Sequence, residues 1–189
     1  INDSVIVEIF PSFMDNFNEP KLIKVCSNSD KIVDLTSNES VMLNGMNSND
    51  FVFEYYNSLI DLNANANQIA NPEIYIADQS QSIHIKITNV ISGCSENVSF
   101  EIEYIELSEL MIVEDQTVCT SFLLPNLPDG QSYYTGPNAT GNLLQQNSYI
   151  GGGKHTIYIY NQNDICTDEN SFTIDVLACT IQKGISPNS

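Results

Sequence analysis

The chain has 189 residues, 42% of them hydrophobic, with 24 acidic side chains against six lysines, no arginine and a formal net charge of −18. That length holds one or two packed domains, and that charge repels nucleic acid and anionic lipid alike. No apolar run approaches the ~20 residues of a membrane-spanning helix. With neither an initiator Met nor a signal peptide, Ile1 reads as an internal cut of a longer chain.

In chain order, the helical period is almost absent. Short alternating runs of Val, Ile, Phe, Tyr and Thr predict strands over 5–10, 22–25, 31–35, 41–43 and 51–56. One helix is expected over 58–66, where Ala and Leu displace β-branched residues and a crowd of Asn and Asp keeps it short. Strands follow over 83–88, 98–106, 110–113, 119–124, 132–135, 156–160 and 171–177. Pro128-Asp129-Gly130 has turn chemistry, and Gly151-Gly152-Gly153 precedes a strand rather than a helix, so it reads as a turn and not a phosphate cradle. Many short strands between Asn-, Gly-, Pro- and Ser-rich breaks predict an all-β chain of sandwiches. Side chains alternate faces along a strand, which turns Ile83, Ile85 and Ile87 inward and His84 and Lys86 outward. The same parity turns Phe100, Ile102 and Tyr104, and again Phe172, Ile174 and Val176, toward a core.

One phrase is written twice. CSENVSFEIE begins at Cys94 and CTDENSFTID at Cys166, and each is a strand with its aromatic turned inward, entered a few residues after a cysteine. A third copy, Ser4-Val5-Ile6-Val7-Glu8-Ile9, places its cysteine just before residue 1. The chain therefore reads as a tandem array of diverged sandwich units: the first over 21–107, the second over 112–178. Residues 1–20 are the tail of an upstream unit or a strand donated to the first, and 179–189 begin something downstream. Within that frame Cys26 is expected to pair with Cys94 and Cys119 with Cys166. Each bridge would be worth about 3–4 kcal/mol by loop entropy, and Cys179 is left unpaired. Five reduced, buried thiols are the competing reading. None of the cysteines form a CxxC or lie near a His at zinc-ligand spacing. Widely spaced cysteines in an acidic, strand-rich chain favour an oxidising, extracellular compartment.

The run from Val25-Cys26 through Ile32-Val33-Asp34-Leu35-Thr36, Phe51-Val52-Phe53-Glu54-Tyr55-Tyr56, Ile69-Ala70-Asn71-Pro72, Ile83–Ile87, Gly93-Cys94 and Ser99-Phe100 resembles a repeat of large surface adhesins from the Bacteroidetes. The second unit is similar to a sister repeat, through Cys119, Leu124-Pro125-Asn126-Leu127-Pro128-Asp129-Gly130, Ile157–Tyr160 and Cys166–Phe172. The end, CTIQKGISPNS, looks like the entry into a gliding-motility-associated C-terminal domain, the type B signal of type IX secretion. The resemblance implies Ig-like or fibronectin-like modules on a secreted, surface-anchored protein. Their partners would be neighbouring repeats, the export machinery through a downstream domain, and surface glycans. The family's first repeat often carries an acidic Asp-Gly stretch after its opening cysteine; Ser27-Asn28-Ser29-Asp30-Lys31 departs from it, which puts a calcium loop there in doubt.

Candidate sites are few. His84 and His155 are the only histidines and neither belongs to a nucleophile motif, so no catalysis is expected. Calcium needs six to eight converging oxygens. Glu106, Glu109, Glu114 and Asp115 near the unit junction, or Asp164, Asp168 and Glu169 around Cys166, are weak candidates against a solvated acidic surface. Tyr133, Tyr134, Tyr149, Tyr158 and Tyr160 crowd the second unit, and Tyr133, Tyr134, Tyr158 and Tyr160 form a candidate ligand face for sugar rings or a neighbouring module. The alternative packs them under loops of their own unit. Asn2, Asn38, Asn97 and Asn138 open formal N-glycosylation triplets that chance explains in so Asn-rich a chain. The expected function is mechanical: spacer modules that hold an adhesin's binding tip away from the outer membrane, or else a glycan- or protein-binding module.

Overall fold

The computed structural model describes residues 12–179; the strand expected over 5–10 lies outside them. The chain divides into two compact units, Ile1–Ile105 and Glu106–Ser189.

In the first unit, β1 (Ile23–Cys26), β3 (Phe51–Tyr56), β5 (Gln81–Asn89) and β6 (Ser95–Ile105) make a four-stranded sheet in the order β1-β6-β5-β3. β2 (Ile32–Val33) and β4 (Tyr75–Ile76) make a two-stranded partner. The opening strand β1 runs parallel to β6, and β5–β6 and β3–β5 are antiparallel. Val33 and Leu35, from the short sheet and just beyond it, meet Ile83, Ile85, Ile87, Phe100 and Ile102 from the long one in a single core. A 3-10 turn at Phe13–Asn16 packs Phe13, Met14 and Phe17 against that core.

Two helices bridge the strands. α2 (Leu59–Ala64) falls within the expected helix: Ser58 caps it by accepting from the Asp61 amide, and Asn65 closes it at φ 50°. α1 (Ser37–Leu43) corrects the strand expected over 41–43. The apolar run Val41-Met42-Leu43 is ambiguous by itself, and tertiary contacts decide it. Met42 and Leu43 turn into the core, and Asn38, 3% exposed, clips Lys21 by accepting from its N–H at 2.8 Å and donating to its C=O at 2.9 Å.

The second unit repeats the plan. β7 (Gln116–Cys119), β9 (Gln131–Tyr134), β10 (Leu143–Leu144), β12 (Gly153–Asn163) and β13 (Cys166–Leu177) form a sheet ordered β10-β9-β12-β13-β7, while β8 (Phe122–Leu123) pairs with β11 (Tyr149–Ile150). β7 again runs parallel to the closing strand β13. Residues 110–113 form no strand; Leu110, Met111 and Val113 pack on the core as extended chain. Gly130 at φ +86° ends the Pro128 turn, and of the glycine triplet Gly153 alone needs the left-handed region, at φ +112°.

The two registers coincide position by position. Phe100 faces Ile83 as Phe172 faces Ile157, Ile102 faces Ile23 as Ile174 faces Gln116, and Tyr55 faces Ile85 as Tyr133 faces Ile159. Both units are Ig-like sandwiches, and the twice-written phrase is the closing strand of each.

Candidate functional site

The cysteines are placed by the parallel opening strand. β1 sets Cys26 opposite Ile105, and β7 sets Cys119 opposite Leu177. Cys94 precedes the start of β6, and Cys166 begins β13. The opening-strand cysteine of each unit thus lies at the pole where the closing strand ends, about 35 Å of strand from the cysteine where it begins. A disulfide spans Cα atoms about 4.4–6.8 Å apart. The expected pairs Cys26–Cys94 and Cys119–Cys166 are therefore both incorrect. Cys119 bonds instead to Cys179, with Cα atoms 5.3 Å apart, so Cys179 is not left over and belongs to the second unit rather than to a following segment. Cys94 is a free, exposed thiol, and Cys26 and Cys166 are each disulfide-bonded. The linker expected beyond Cys179 lies outside the described residues.

The segment entering the second unit is held by amide side chains that the sequence reading missed. Gln131, 4% exposed, donates from Nε2 to the Glu109 carbonyl at 2.7 Å and accepts from the Met111 N–H at 3.0 Å. Asn161, 1% exposed, donates to the Ser108 carbonyl at 2.7 Å. Asn163 and Asn170 donate to the carbonyls of Glu106 and Met111. These replace strand hydrogen bonds along an extended stretch that belongs to none of the described strands. No sequence signal separates these four from the chain's many other amides; Gln131 and Asn161 are set apart only by their burial. The calcium candidates Glu106, Glu109, Glu114 and Asp115 are all exposed. Asp115 accepts from the Thr173 N–H at 2.7 Å, and among the described residues no three His, Cys, Asp or Glu side chains gather as a metal cage.

The tyrosine face loses one member. Tyr133 is wholly buried against Phe172, and its hydroxyl has no hydrogen-bond partner in the core. Burial pushes its pKa up to about 12. Tyr134 and Tyr158 are cross-strand partners, Tyr160 follows on the same face, and the Tyr134 and Tyr160 rings meet edge-on at 6.2 Å; all three are half-buried. Tyr149 stands apart on β11, 71% exposed. The matching face of the first unit carries Tyr56, His84 and Lys86. There, Asn65, the residue closing α2, accepts from the Tyr56 hydroxyl at 3.1 Å and from Lys86 Nζ at 3.0 Å, and Tyr56 is buried. His155 lies 2.9 Å through Nε2 from the Gly151 carbonyl. Asn38 is buried and engaged, so its glycosylation triplet is structural.

Residues 22–108 match the family model described as the Flavobacterium inter-domain disulphide bond domain. Among curated proteins nothing matches. Similar solved structures include a three-Ig fragment of titin carrying Glu-to-Ala changes (12% identity over 69% of this chain and 56% of that one, TM-score 0.35). Others are the four N-terminal Ig domains of Dscam1 isoform 4.4 (13%, 91% and 47%, 0.33) and Sidekick-1 Ig domains 1–5 (12%, 86% and 37%, 0.30). At such scores the fold argument rests on the strand order itself. Among the described residues no helix is long and apolar enough to cross a membrane.

Proposed function

We propose that the chain is a pair of Ig-like spacer modules from a secreted Bacteroidetes cell-surface adhesin, stiffened by disulfides, with a mechanical and not a catalytic role. One observation carries this: Cys119 and Cys179 satisfy each other while Cys26 and Cys166 are both oxidised. Cys26 lies where the first unit's closing strand ends and the chain leaves; Cys166 lies where the second unit's closing strand begins. The family matched over 22–108 is named for an inter-domain disulfide, which supports the same reading. The amide clamps of Gln131 and Asn161 add stiffness at the entry to the second unit. Secretion through a type IX pathway is supported by the resemblance of CTIQKGISPNS to the entry of a sorting domain.

Peptide mapping of the oxidised chain without reduction tests these bridges. It should return a Cys119–Cys179 linked peptide, an alkylated Cys94, and Cys26 and Cys166 both blocked to alkylation. Cys26 or Cys166 recovered as a free thiol overturns the proposal.

The open Tyr134, Tyr158 and Tyr160 face, whose counterpart in the first unit is engaged by Asn65, favours a second reading as a glycan-binding module. Saturable binding on a glycan array, lost in Tyr158→Ala, would support that reading; a blank array supports the spacer.

A further inference from the structure

On the outer face of the first unit's sheet, side chains of complementary reactivity meet. Glu54 on β3 and Lys86 on β5 are cross-strand partners, with Lys86 Nζ 3.8 Å from Glu54 Oε2. α2 packs against both strands, and the two side chains are only 28% (Lys86) and 23% (Glu54) exposed. Asn65 closes α2 in the left-handed region, and its own N–H is tied to the Asp61 and Leu62 carbonyls, which fixes where its carboxamide starts. Lys86 Nζ donates to Asn65 Oδ1 at 3.0 Å, and the Tyr56 hydroxyl donates to the same oxygen at 3.1 Å. An amine lies against a carboxamide, a carboxylate lies beside the amine, and a buried O–H donor already holds the carboxamide oxygen. Those are the parts that acyl transfer from one nitrogen to another requires. The second unit has neither the amine nor the carboxylate there: at the matching register it carries Tyr160 for Lys86 and Ser132 for Glu54.

We propose that Lys86 and Asn65 join in an intramolecular amide cross-link. Glu54 takes one proton from the Lys86 ammonium. The freed Nζ lone pair attacks Asn65 Cγ, and the carbonyl electron pair moves onto Oδ1. Tyr56 stabilises that oxyanion through its hydroxyl, which burial keeps protonated above the ordinary tyrosine range. Glu54 then delivers its proton to Nδ2, the Cγ–Nδ2 bond breaks, and the surplus Nζ proton leaves with the ammonia as ammonium. One Cγ–Nζ bond replaces one Cγ–Nδ2 bond, nothing is oxidised or reduced, and Glu54 ends as the carboxylate it began as. Holding amine and carboxamide together makes the step unimolecular, which supplies much of its driving advantage. The link clips α2 to β5 inside one unit, and it is independent of every disulfide in the chain.

The test is the intact mass of the whole folded chain after reduction and alkylation. It should fall one ammonia below the mass that the sequence gives, and digestion should return one branched peptide joining the segments that hold Asn65 and Lys86. Lys86→Arg keeps the charge on β5 but offers no amine nucleophile, and should restore the full mass. Glu54→Gln removes the base and should do the same, with amide exchange showing both variants folded. Wild type at full mass after prolonged incubation in the folded state overturns the proposal. So does a missing ammonia that persists in Lys86→Arg, as a succinimide at Asn44-Gly45 would produce, or a branched peptide that joins Lys86 to its β6 neighbour Asn97. A link formed fully in folded Glu54→Gln overturns the role given to Glu54.

Discussion

Tyr55 and Tyr133 occupy the same position in the two sandwiches, both wholly buried, yet their hydroxyls differ. Tyr55 donates to Glu39 Oε1 at 2.8 Å, on α1, which has no counterpart among the described residues of the second unit; Tyr133 donates to nothing. Replacing each with Phe therefore tests what a buried hydrogen bond contributes against an internal control. Tyr55→Phe removes the donor to a half-buried carboxylate and should cost the first unit about 1–3 kcal/mol. Tyr133→Phe removes a desolvated hydroxyl without a partner, and should leave the second unit unchanged or more stable by up to about 2 kcal/mol. Hydrogen exchange with mass spectrometry reads the units separately, since about 1.4 kcal/mol is tenfold in protection. β3 and β5 amides should lose about 5- to 150-fold protection in Tyr55→Phe. Those of β9 and β12 should hold or gain in Tyr133→Phe. The pH dependence adds a sign. Burial holds the Glu39 carboxyl above its usual 4.5, partly offset by the Tyr55 hydroxyl. The folded state thus keeps the proton to higher pH than the unfolded one, and this group's contribution to stability falls as pH rises through that window. Tyr55→Phe should steepen that fall and Glu39→Gln should remove it. A loss of protection in Tyr133→Phe equal to that in Tyr55→Phe would refute the reasoning.

Phe100→Ala and Phe172→Ala should each cost about 3–5 kcal/mol, because both rings are buried at the same core position; denaturant unfolding measures this, and a loss under about 1 kcal/mol would mean the faces are misassigned. Asn161→Ala should expose the amides of 108–111 to exchange and cost about 1–3 kcal/mol, by leaving the Ser108 carbonyl without its buried donor. In an alkaline absorbance titration, Tyr55 and Tyr133, both raised by burial, should stay protonated after the exposed phenols ionise. The unfolded chain gives up those protons first, so stability should fall as pH climbs from 10 toward about 12; all nine tyrosines ionising in one step would contradict this.

The long strands were legible because one face of each is buried, and the period of two survives in β5, β6, β12 and β13. Two-residue strands such as β2, β4, β10 and β11 are too short to carry a period, and only their neighbours define them. α1 was hidden because Val41-Met42-Leu43 suits either structure; the Asn38 clip and the Glu39–Tyr55 bond decide it. The bridges were misread for a topological reason. Sequence order places the two cysteines of a unit at the start and finish of one segment, whereas a parallel opening strand sends them to opposite poles. Of the candidate ligand face, parity correctly turned Tyr158 and Tyr160 outward, but nothing in the sequence marked Tyr133 as the core counterpart of Tyr55.

That same parallel pairing governs how either sandwich meets a tug on its ends. The opening and closing strands lie side by side and are drawn in opposite senses, so the four pairs in register between them shear together instead of peeling one after another. In the second sandwich the cystine at Cys119–Cys179 sits on this very seam. A pull arriving along β7 crosses it and departs, and the stretch between those two cysteines, which are 60 residues apart in sequence, stays slack and folded.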